Sequence, residues 1–372
     1  MVEWKKLEDL LDFEQPTSYL VKSTEYDDSY DVPVLTAGQS LLLGYTNETE
    51  GIYKANKDNP TIIFDDFTTS FHWIDYNFKV KSSAMKMLRP KDDVNFRFIY
   101  YSMCGINFVP GGHQRHWISK YSQFEIPVPS ISEQERIVGI LDTFTASIEN
   151  LKEQIKLRRK QYEHYRDQLL DLEGKEGVEM KTLGEVCEIR GRIGFRGYTR
   201  DDQVEKGEGV ISLSPGNIDN GQMVYNGCTY ITWEKYEESP EIKTFNGDIL
   251  FCKTGSTVGK VAMVKELPCE ATINPQLVVL KNITIDPKYL NYILGTYKIQ
   301  TIVKGLAGIG SVPNISQEKL GNITIPVPSL QEQLRIVSIL DTFEASISNL
   351  EAQLKEREKQ YEYYREKLLT FE

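Results

Sequence analysis

The stretch IPVPSISEQERIVGILDTF occupies residues 126–144, and a second version, IPVPSLQEQLRIVSILDTF, occupies residues 325–343. Over the longer ranges 126–170 and 325–369 the two copies share 31 identical residues in 45 positions, at a constant offset of 199. An internal repeat of this quality decides the architecture before any local pattern does. Because its period is far too long for a solenoid, the repeat indicates a duplicated module with a constant part and a variable part.

The repeated part has the pattern of a long helix. Ser130 with Glu133, and Ser329 with Glu332, have the spacing of a capping box, which predicts a helix start. Apolar residues then recur at heptad spacing, at Ile137, Leu141, Phe144, Ile148, Leu151, Ile155, Tyr162, Tyr165 and Leu169, and again at Ile336, Leu340, Phe343, Ile347, Leu350, Leu354, Tyr361, Tyr364 and Leu368.

Sustained heptads of this kind predict coiled-coil helices of roughly 40 residues, about 60 Å long. One seam position in each copy is an arginine, Arg158 or Arg357. An amphipathic helix packed on its own domain is the alternative for a single copy. Two matched copies in one chain favour helices that pair with each other.

The variable parts precede the two helices. They share an opening, EWKKLEDLLDF at 3–13 and EMKTLGEVCEI at 179–189, and then diverge almost completely. Both contain β-rich runs broken by Gly, Asn and Asp, followed by a helical stretch, VNFRFIYYSM or PKYLNYILGTY. The sequence therefore predicts a mixed α/β fold in four segments: a domain at 1–125, a helix at 126–175, a domain at 176–324 and a helix at 325–372.

The composition is that of a globular protein without a membrane span. The chain has 372 residues, 40% hydrophobic and 26% charged, and no apolar run approaches a span of about 20 residues. The amphipathic, acidic N-terminus is not a signal peptide. The five scattered cysteines form no CxxC pair, which predicts free thiols in a reducing cytoplasm. The net charge of −11 argues mildly against nucleic acid as a partner, although local basic patches matter more.

No segment has a convincing catalytic or metal-binding pattern. TGSTVGKV at 254–261 lacks both the glycine spacing and the hydroxyl residue of a P-loop. INPQL at 273–277 lacks the second proline of an amino-methyltransferase element, and GGHQRHW at 111–117 has no carboxylate or cysteine partners for a metal. The sequence therefore predicts no catalytic residue, no metal site and no cofactor.

Several segments with few acidic residues combine the side chains that contact DNA. RGRIGFRGYTR at 190–200, with four arginines, has guanidinium forks that suit guanine edges and phosphates, and its glycines permit close approach. A solvated mobile loop is the alternative, and Asp65 and Asp66 weaken the case for the threonines beside them. The candidate DNA-binding residues are Thr68, Thr69, His113, Gln114, Arg115, His116, Arg190, Arg192, Arg196, Lys253, Thr254, Ser256, Thr257 and Lys260.

The alternation of variable and constant parts resembles the specificity (S) subunit of type I restriction–modification systems. In that family a motif joins each target recognition domain to its conserved helix, and PVLTAGQSLLLGYTNE at 33–48 also resembles a recurrent class of these domains. The motif residues here are Ile126, Pro127, Pro129, Glu133, Gln134, Ile137, Leu141 and Asp142, and in the second copy Ile325, Pro326, Pro328, Glu332, Gln333, Ile336, Leu340 and Asp341.

The resemblance implies a division of labour in a larger complex. Two globular α/β target recognition domains, separated by two long antiparallel coiled-coil helices in a pseudo-twofold repeat, would each read one half of an asymmetric double-stranded DNA target. The helices would set the gap between the halves. Two modification subunits would supply the S-adenosylmethionine site and flip an adenine for methylation, and restriction subunits would supply translocation and cleavage. The chain itself would be a non-catalytic cytoplasmic subunit.

Two other functions remain open at this stage. A specificity component of a type IIB-like system, whose partner chain both cleaves and methylates, has the same sequence features. A structural coiled-coil scaffold with two protein-binding domains belongs to a different class, and it leaves the Arg- and Gly-rich loops unexplained. A standalone enzyme is disfavoured because no active-site pattern is present.

Overall fold

The computed structural model describes residues 2–36, 40–91, 94–111, 114–192, 198–308, 310 and 312–371. The chain divides into two compact units, one formed by Met1–Lys152 with Ala352–Glu372 and the other by Glu153–Glu351. Each unit thus combines one variable part of the sequence with a stretch of each repeated helix. Within the described ranges, no helix is long and apolar enough to cross a membrane.

The first unit contains a small α/β domain followed by a long helix. Its strands are β1 (Glu3–Lys6), β2 (Leu11–Glu14), β3 (Val32–Leu35), β4 (Leu42–Thr46), β5 (Thr61–Asp65), β6 (Phe71–Ile74), β7 (Lys79–Val80), β8 (Met85–Pro90) and β9 (Glu125–Val128). Its helices are α1 (Leu7–Leu10), α2 (Phe96–Cys104) and α3 (Ile131–Leu170), which continues into the second unit, with short 3₁₀ turns at Pro16–Tyr19 and Tyr121–Gln123.

Strand β5 is the centre of the core of the first unit. It lies in an antiparallel sheet of order β2-β8-β5-β6, and all five of its residues are buried. Because side chains alternate across a strand, Ile62 and Phe64 pack with the residues of α1 and α2, whereas Ile63 packs on the other side with Phe78 and Met85. A second sheet, β4-β3-β7, has β3 and β7 parallel, and β1 pairs with β9. The mixed α/β domain predicted from the sequence is confirmed.

The second unit contains the other α/β domain. Its strands are β10 (Glu179–Thr182), β11 (Glu188–Arg190), β12 (Gln203–Val204), β13 (Val210–Leu213), β14 (Ile218–Asp219), β15 (Gln222–Met223), β16 (Thr229–Ile231), β17 (Ile249–Cys252), β18 (Val261–Met263), β19 (Ala271–Ile273), β20 (Leu277–Lys281) and β21 (Thr324–Val327). Its helices are α4 (Leu183–Val186), α5 (Trp233–Glu237), α6 (Pro287–Leu294), α7 (Tyr297–Ala307), α8 (Gln317–Gly321) and α9 (Leu330–Leu369), which ends in the first unit, and 3₁₀ turns lie at Arg200–Asp202, Pro215–Asn217 and Pro240–Ile242.

The two domains share the topology of their main strands although their sequences diverge, and the second domain adds β12 and the hairpin β14-β15. The sheet β11-β20-β17-β18 repeats the order β2-β8-β5-β6, and β13 runs parallel to β19 as β3 does to β7. The register also repeats, since Glu179 pairs with Val327 as Glu3 pairs with Val128. The duplication that the sequence reveals in the helices therefore includes the variable parts, where strand order and register rather than residue identity have been kept.

Helices α3 and α9 pack together, as the heptad pattern predicts, and they run antiparallel, as the family resemblance implies. In the first unit the ring of Phe144 stacks on Tyr364 at 5.3 Å, and in the second unit Tyr165 stacks on Phe343 at 5.4 Å. These two contacts are the same contact related by the repeat. The seam arginine Arg357 lies over the Phe144 ring at 5.6 Å, so its guanidinium is held by an aromatic face within the seam.

A buried glutamine explains the E-Q element of the repeated motif. The Gln134 side chain accepts a hydrogen bond from the Asn95 N–H (3.0 Å) and donates one to the Pro129 carbonyl (2.8 Å). Gln333 makes the same pair of bonds, with the Asp286 N–H (2.9 Å) and the Pro328 carbonyl (2.8 Å). Each glutamine thus satisfies two backbone groups at the junction between a domain helix and the long helix.

The aspartate of the motif completes the same junction. Asp142 accepts hydrogen bonds from the Tyr101 hydroxyl (2.5 Å) and from Arg97 Nε (2.9 Å) on α2. Asp341 accepts one from the Tyr292 hydroxyl (2.6 Å) on α6 and forms an ion pair with Lys288. The motif therefore fastens each domain to its helix.

In a capping box the serine side chain accepts the glutamate N–H, and the glutamate side chain accepts the serine N–H. Only the first of these two bonds forms here, and only in the second copy. Ser329 Oγ accepts a hydrogen bond from the Glu332 N–H at 3.3 Å, whereas the Glu133 N–H donates to the Ser130 carbonyl at 2.9 Å. The glutamate half is replaced in both copies, because Glu133 and Glu332 each form a bidentate pair with the arginine three residues later. A nearby guanidinium competes successfully with a backbone N–H for the carboxylate.

We expect Gln333→Ala to destabilise the protein by about 2–5 kcal/mol, because each buried backbone group left without a partner costs about 1–3 kcal/mol. Gln333 is only 3% exposed, so water cannot replace the lost bonds without entering the junction. The matched control is Gln331→Ala, two residues earlier on the exposed face of α9, which should stay within about 0.5 kcal/mol. The free energy of unfolding of both variants, measured by chemical denaturation, tests this prediction. Equal stabilities would contradict the proposed role of Gln333.

Candidate nucleic-acid interface

The loop between β17 and β18 is the first element of a candidate interface in the second unit. Gly255 and Gly259 have φ values of +99° and +96°, a conformation that favours glycine. The Gly255 N–H donates to the Pro313 carbonyl at 2.9 Å, and Thr254 Oγ1 donates to Asn314 Oδ1 at 2.6 Å. The loop is therefore tied to the segment between α7 and α8, which is 60 residues away in the sequence.

The turn between β19 and β20 lies against the same loop. The Lys253 N–H donates to the Gln276 carbonyl at 2.9 Å, and the Gln276 N–H donates to Asn274 Oδ1 at 3.0 Å. A Cβ atom on Gly255 would lie 3.3 Å from Gln276 Nε2, which is tighter than ordinary contact. The exposed side chain of Gln276 therefore stands directly beside the glycine of the neighbouring loop.

Arg192 brings the arginine-rich segment to this site. Its Nε donates to the Ile273 carbonyl at 3.0 Å, and its guanidinium lies 5.4 Å from the centre of the Tyr198 ring. Partial burial lowers the pKa of Arg192 from its usual value. Arg190 is exposed and forms an ion pair with Glu188 at 2.6 Å, and Arg196 lies outside the described residues.

These contacts join four segments into what we call the second loop cluster: residues 191–192, 253–260, 274–276 and 312–316. Of the lysine and hydroxyl side chains predicted here, Ser256 and Lys260 are exposed. Lys260 Nζ also donates to the Ile218 carbonyl at 2.9 Å, and Thr257 Oγ1 lies 3.4 Å from Cys252 Sγ. The sequence-based search identified the first two segments and missed the last two. Amides and backbone bonds give little compositional signal, and the last two segments contain no cluster of basic side chains.

The corresponding place in the first unit is occupied by the turn between β5 and β6. The His116 N–H donates to the Asp66 carbonyl at 2.9 Å, just as the Ile315 N–H donates to the Lys253 carbonyl at 2.9 Å. Residues 65–70 and 114–117 thus form a first loop cluster at the topologically equivalent position. Both segments were singled out in the sequence, which gave no indication that they meet.

The two aspartates of this turn are satisfied inside the domain. Asp66 is 1% exposed, accepts the Trp117 N–H at 2.8 Å and forms an ion pair with Lys86 at 3.1 Å. Asp65 accepts hydrogen bonds from the Phe67 N–H (3.0 Å) and from Thr68 Oγ1 (2.5 Å). The charge of Asp66 is therefore compensated by the buried Lys86, and the carboxylate of Asp65 is occupied by local donors. The two aspartates oppose the approach of an anionic partner less than the sequence implied.

The predicted residues of the first cluster fall into two groups. Thr68, Gln114 and Arg115 are exposed. His116 is fully buried with its ring 5.5 Å from that of Phe108, and Thr69 is 8% exposed with φ of +58°. In this structure these two residues therefore shape the turn rather than present donors at the surface, and His113 lies outside the described residues.

The thiols and acidic groups offer little chemistry. Among the described residues there is no cluster of three or more His, Cys, Asp or Glu side chains that could hold a metal ion. The five cysteines are free, and burial raises the pKa of Cys104 to about 11 and that of Cys187 to about 12. Because the thiolate is the reactive form, these two thiols are poor nucleophiles at neutral pH.

Comparison with known proteins identifies the family. Residues 1–158 and 175–358 match the family model of the type I restriction modification DNA specificity domain. The chain belongs to this family. A type I restriction enzyme specificity subunit of Escherichia coli is 40% identical over 100% of this chain and 94% of its own length. The resemblance seen in the motif is therefore confirmed, and the protein is a DNA sequence specificity subunit of a type I restriction–modification system.

More distant members of the family cover the same length. A putative specificity subunit of Haemophilus influenzae is 28% identical over 100% of this chain and 96% of its own. The crystal structure of the S subunit from M. genitalium has a TM-score of 0.60 at 18% identity and covers 100% of this chain and 97% of that one. The fold of the specificity subunits, with two α/β domains and two packed long helices, is thus confirmed for this chain.

Proposed function

We propose that the two domains of this specificity subunit each read one half of an asymmetric, two-part DNA target. The observation that carries the proposal is the placement of two loop clusters at equivalent points of one topology, with different side chains in each. A protein with a pseudo-twofold axis presents its two domains to two half-sites in related orientations. Because the clusters differ in sequence, the half-sites differ too.

The proposed domain boundaries follow the sequence repeat. Residues 1–125 and 176–324 are the two target recognition domains, and residues 126–175 and 325–372 are the spacer segments that hold them. Each spacer includes the motif whose glutamine and aspartate fasten it to a domain. The gap between the half-sites is then a property of the spacers, and the base sequence is a property of the domains.

Polar groups in the clusters supply the base contacts in this proposal. In the second cluster Gln276 and Asn314 are exposed amides, and an amide can form two hydrogen bonds with adenine in the major groove. Arg192 and, in the first cluster, Arg115 suit guanine or phosphate. Further proposed contacts, taken from the sequence, come from Thr68, Gln114, Arg190, Lys253, Thr254 and Ser256, with His113 and Arg196 outside the described residues.

The negative charge of the chain implies that other subunits supply further contacts to the DNA phosphates. Phosphate neutralisation supplies much of the affinity for DNA, whereas this chain has a net charge of −11 and its clusters are rich in neutral amides and hydroxyls. We propose that two modification subunits, one on each half of the repeat, enclose the backbone and provide the methyl donor site. Restriction subunits join through that complex. The specificity subunit itself contributes no catalytic group and no cofactor, and it acts in the cytoplasm.

The test is methylation by purified components. The chain with its modification partner and S-adenosylmethionine should methylate adenines within one asymmetric two-part motif, mapped by sequencing the modified DNA. The chain without partner should methylate nothing, because its sequence contains no recognisable motif for binding the methyl donor. Methylation by the chain alone, or a target with two identical half-sites, would overturn the proposal.

A further inference from the structure

Two ion pairs join the long helices at positions that the repeat relates to each other. In the first unit Lys152 Nζ lies 3.2 Å from Glu358 Oε1, and in the second unit Arg159 Nη2 lies 2.5 Å from Glu351 Oε1. With the offset of 199, Lys152 corresponds to Glu351, and Arg159 corresponds to Glu358. The same two helix positions therefore carry cations on α3 and anions on α9.

The aromatic residues of the seam do not distinguish α3 from α9. Phe144 and Phe343 are equivalent in the repeat, as are Tyr165 and Tyr364, and each phenylalanine stacks on the tyrosine of the other helix. A pairing of α3 with a second α3, or of α9 with a second α9, would bring the same rings together. The rings define the antiparallel register without selecting the partner.

The charged positions, unlike the rings, oppose the pairing of either helix with a second copy of itself. In an antiparallel pair of two α3 helices, Lys152 would face Arg159 at both crossings. In a pair of two α9 helices, Glu351 would face Glu358 at both crossings. Like charges at contacting helix positions are destabilising, and such repulsion against the wrong partner is a general source of pairing specificity.

We propose that these four charges make the helix seam heterospecific, so that α3 accepts the α9 helix of its own chain and rejects a second α3. The seam then disfavours assemblies of two identical halves. An assembly of that kind would carry two copies of one loop cluster instead of two different clusters. Each exposed ion pair contributes little stability by itself, but the wrong pairing exchanges two attractions for two repulsions.

The proposal can be tested within the intact chain, because substitutions reproduce the charges of each wrong pairing. Glu351→Lys with Glu358→Arg gives both helices the charges of α3, and Lys152→Glu with Arg159→Glu gives both the charges of α9. We expect each double variant to lower the Tm by roughly 2–5 °C at low ionic strength. The loss should shrink in about 1 M salt, where the Debye length falls to about 3 Å.

Two control variants keep opposite charges at both crossings. The combination of all four substitutions inverts both pairs, and Lys152→Glu with Glu358→Lys inverts one of them. Both should melt within about 1 °C of the unmodified protein. This expectation holds even when a double variant fails to fold, so the controls still test the proposal. Double variants that melt with the unmodified protein, a loss that salt does not reduce, or controls that fail to restore the Tm would each overturn the proposal.

Discussion

Seven residues added to each long helix should widen the gap in the DNA target by up to about three base pairs, with both half-site sequences unchanged. The insertion points lie between the two compact units, after Lys152 in α3 and after Glu351 in α9. Seven residues preserve the heptad seam and lengthen a helix by about 10 Å, and DNA rises about 3.4 Å per base pair. A tilt of the helices against the DNA would reduce the change. The measurement is the gap in the preferred target, which is selected from random DNA by methylation with the partner subunits.

The matched control is an insertion of four residues in each helix at the same points. Four residues are about one turn but displace the heptad register, so the Phe144–Tyr364 contact and the Tyr165–Phe343 contact can no longer lie on one continuous seam. We expect this variant to lose methylation activity. An active seven-residue variant that keeps the original gap would contradict the spacer role, and one that changes a half-site sequence would contradict the assignment of base reading to the domains.

Asn314→Ala combined with Gln276→Ala should relax recognition in one half of the target only. A lost base contact is worth about 1–3 kcal/mol, which corresponds to roughly 5- to 150-fold in discrimination. Asn314→Ala removes the bond from Thr254 Oγ1. The backbone bonds from Lys253 to Gln276 and from Gly255 to Pro313 do not depend on either side chain, so the loop arrangement should survive the change. The measurement is the methylation rate on targets that carry single base changes in either half.

Asn226→Ala provides the control for this pair. Asn226 is an exposed amide of the same unit and lies outside the second loop cluster, so its loss should leave discrimination unchanged. If the double variant weakens both halves equally, the cluster supports the fold rather than reading bases. If it leaves both halves unchanged, the amides do not contact DNA.

The sequence alone predicted the architecture well because the repeat is long and its periodicity is strong. The heptad positions of Phe144 and Tyr165 led directly to the stacked rings that join α3 with α9. The helical stretches before each repeat are present as α2 and α6. Periodicity is a local signal that a single sequence carries in full.

The contacts that assemble the candidate interface could not be predicted in the same way. Thr254 and Asn314 are 60 residues apart, and Gln134 bonds to a residue 39 positions earlier. A hydrogen bond over such a separation depends on the whole fold and leaves no local pattern. Gln276 also gave no signal in the sequence, because one amide in a turn is common in any protein.

The pairing of β1 with β9, and of β10 with β21, has a consequence for how such proteins change. Each pairing places the first and last strands of a domain side by side, so the chain enters and leaves the domain at one place. A domain with the same two end strands can therefore be exchanged as a cassette without altering the rest of the chain. The repeated stretches 126–170 and 325–369, which share 31 of 45 residues, offer matching sequences for such an exchange. If each domain reads one half-site, as we propose, one recombination event replaces half of the DNA target and leaves the other half intact.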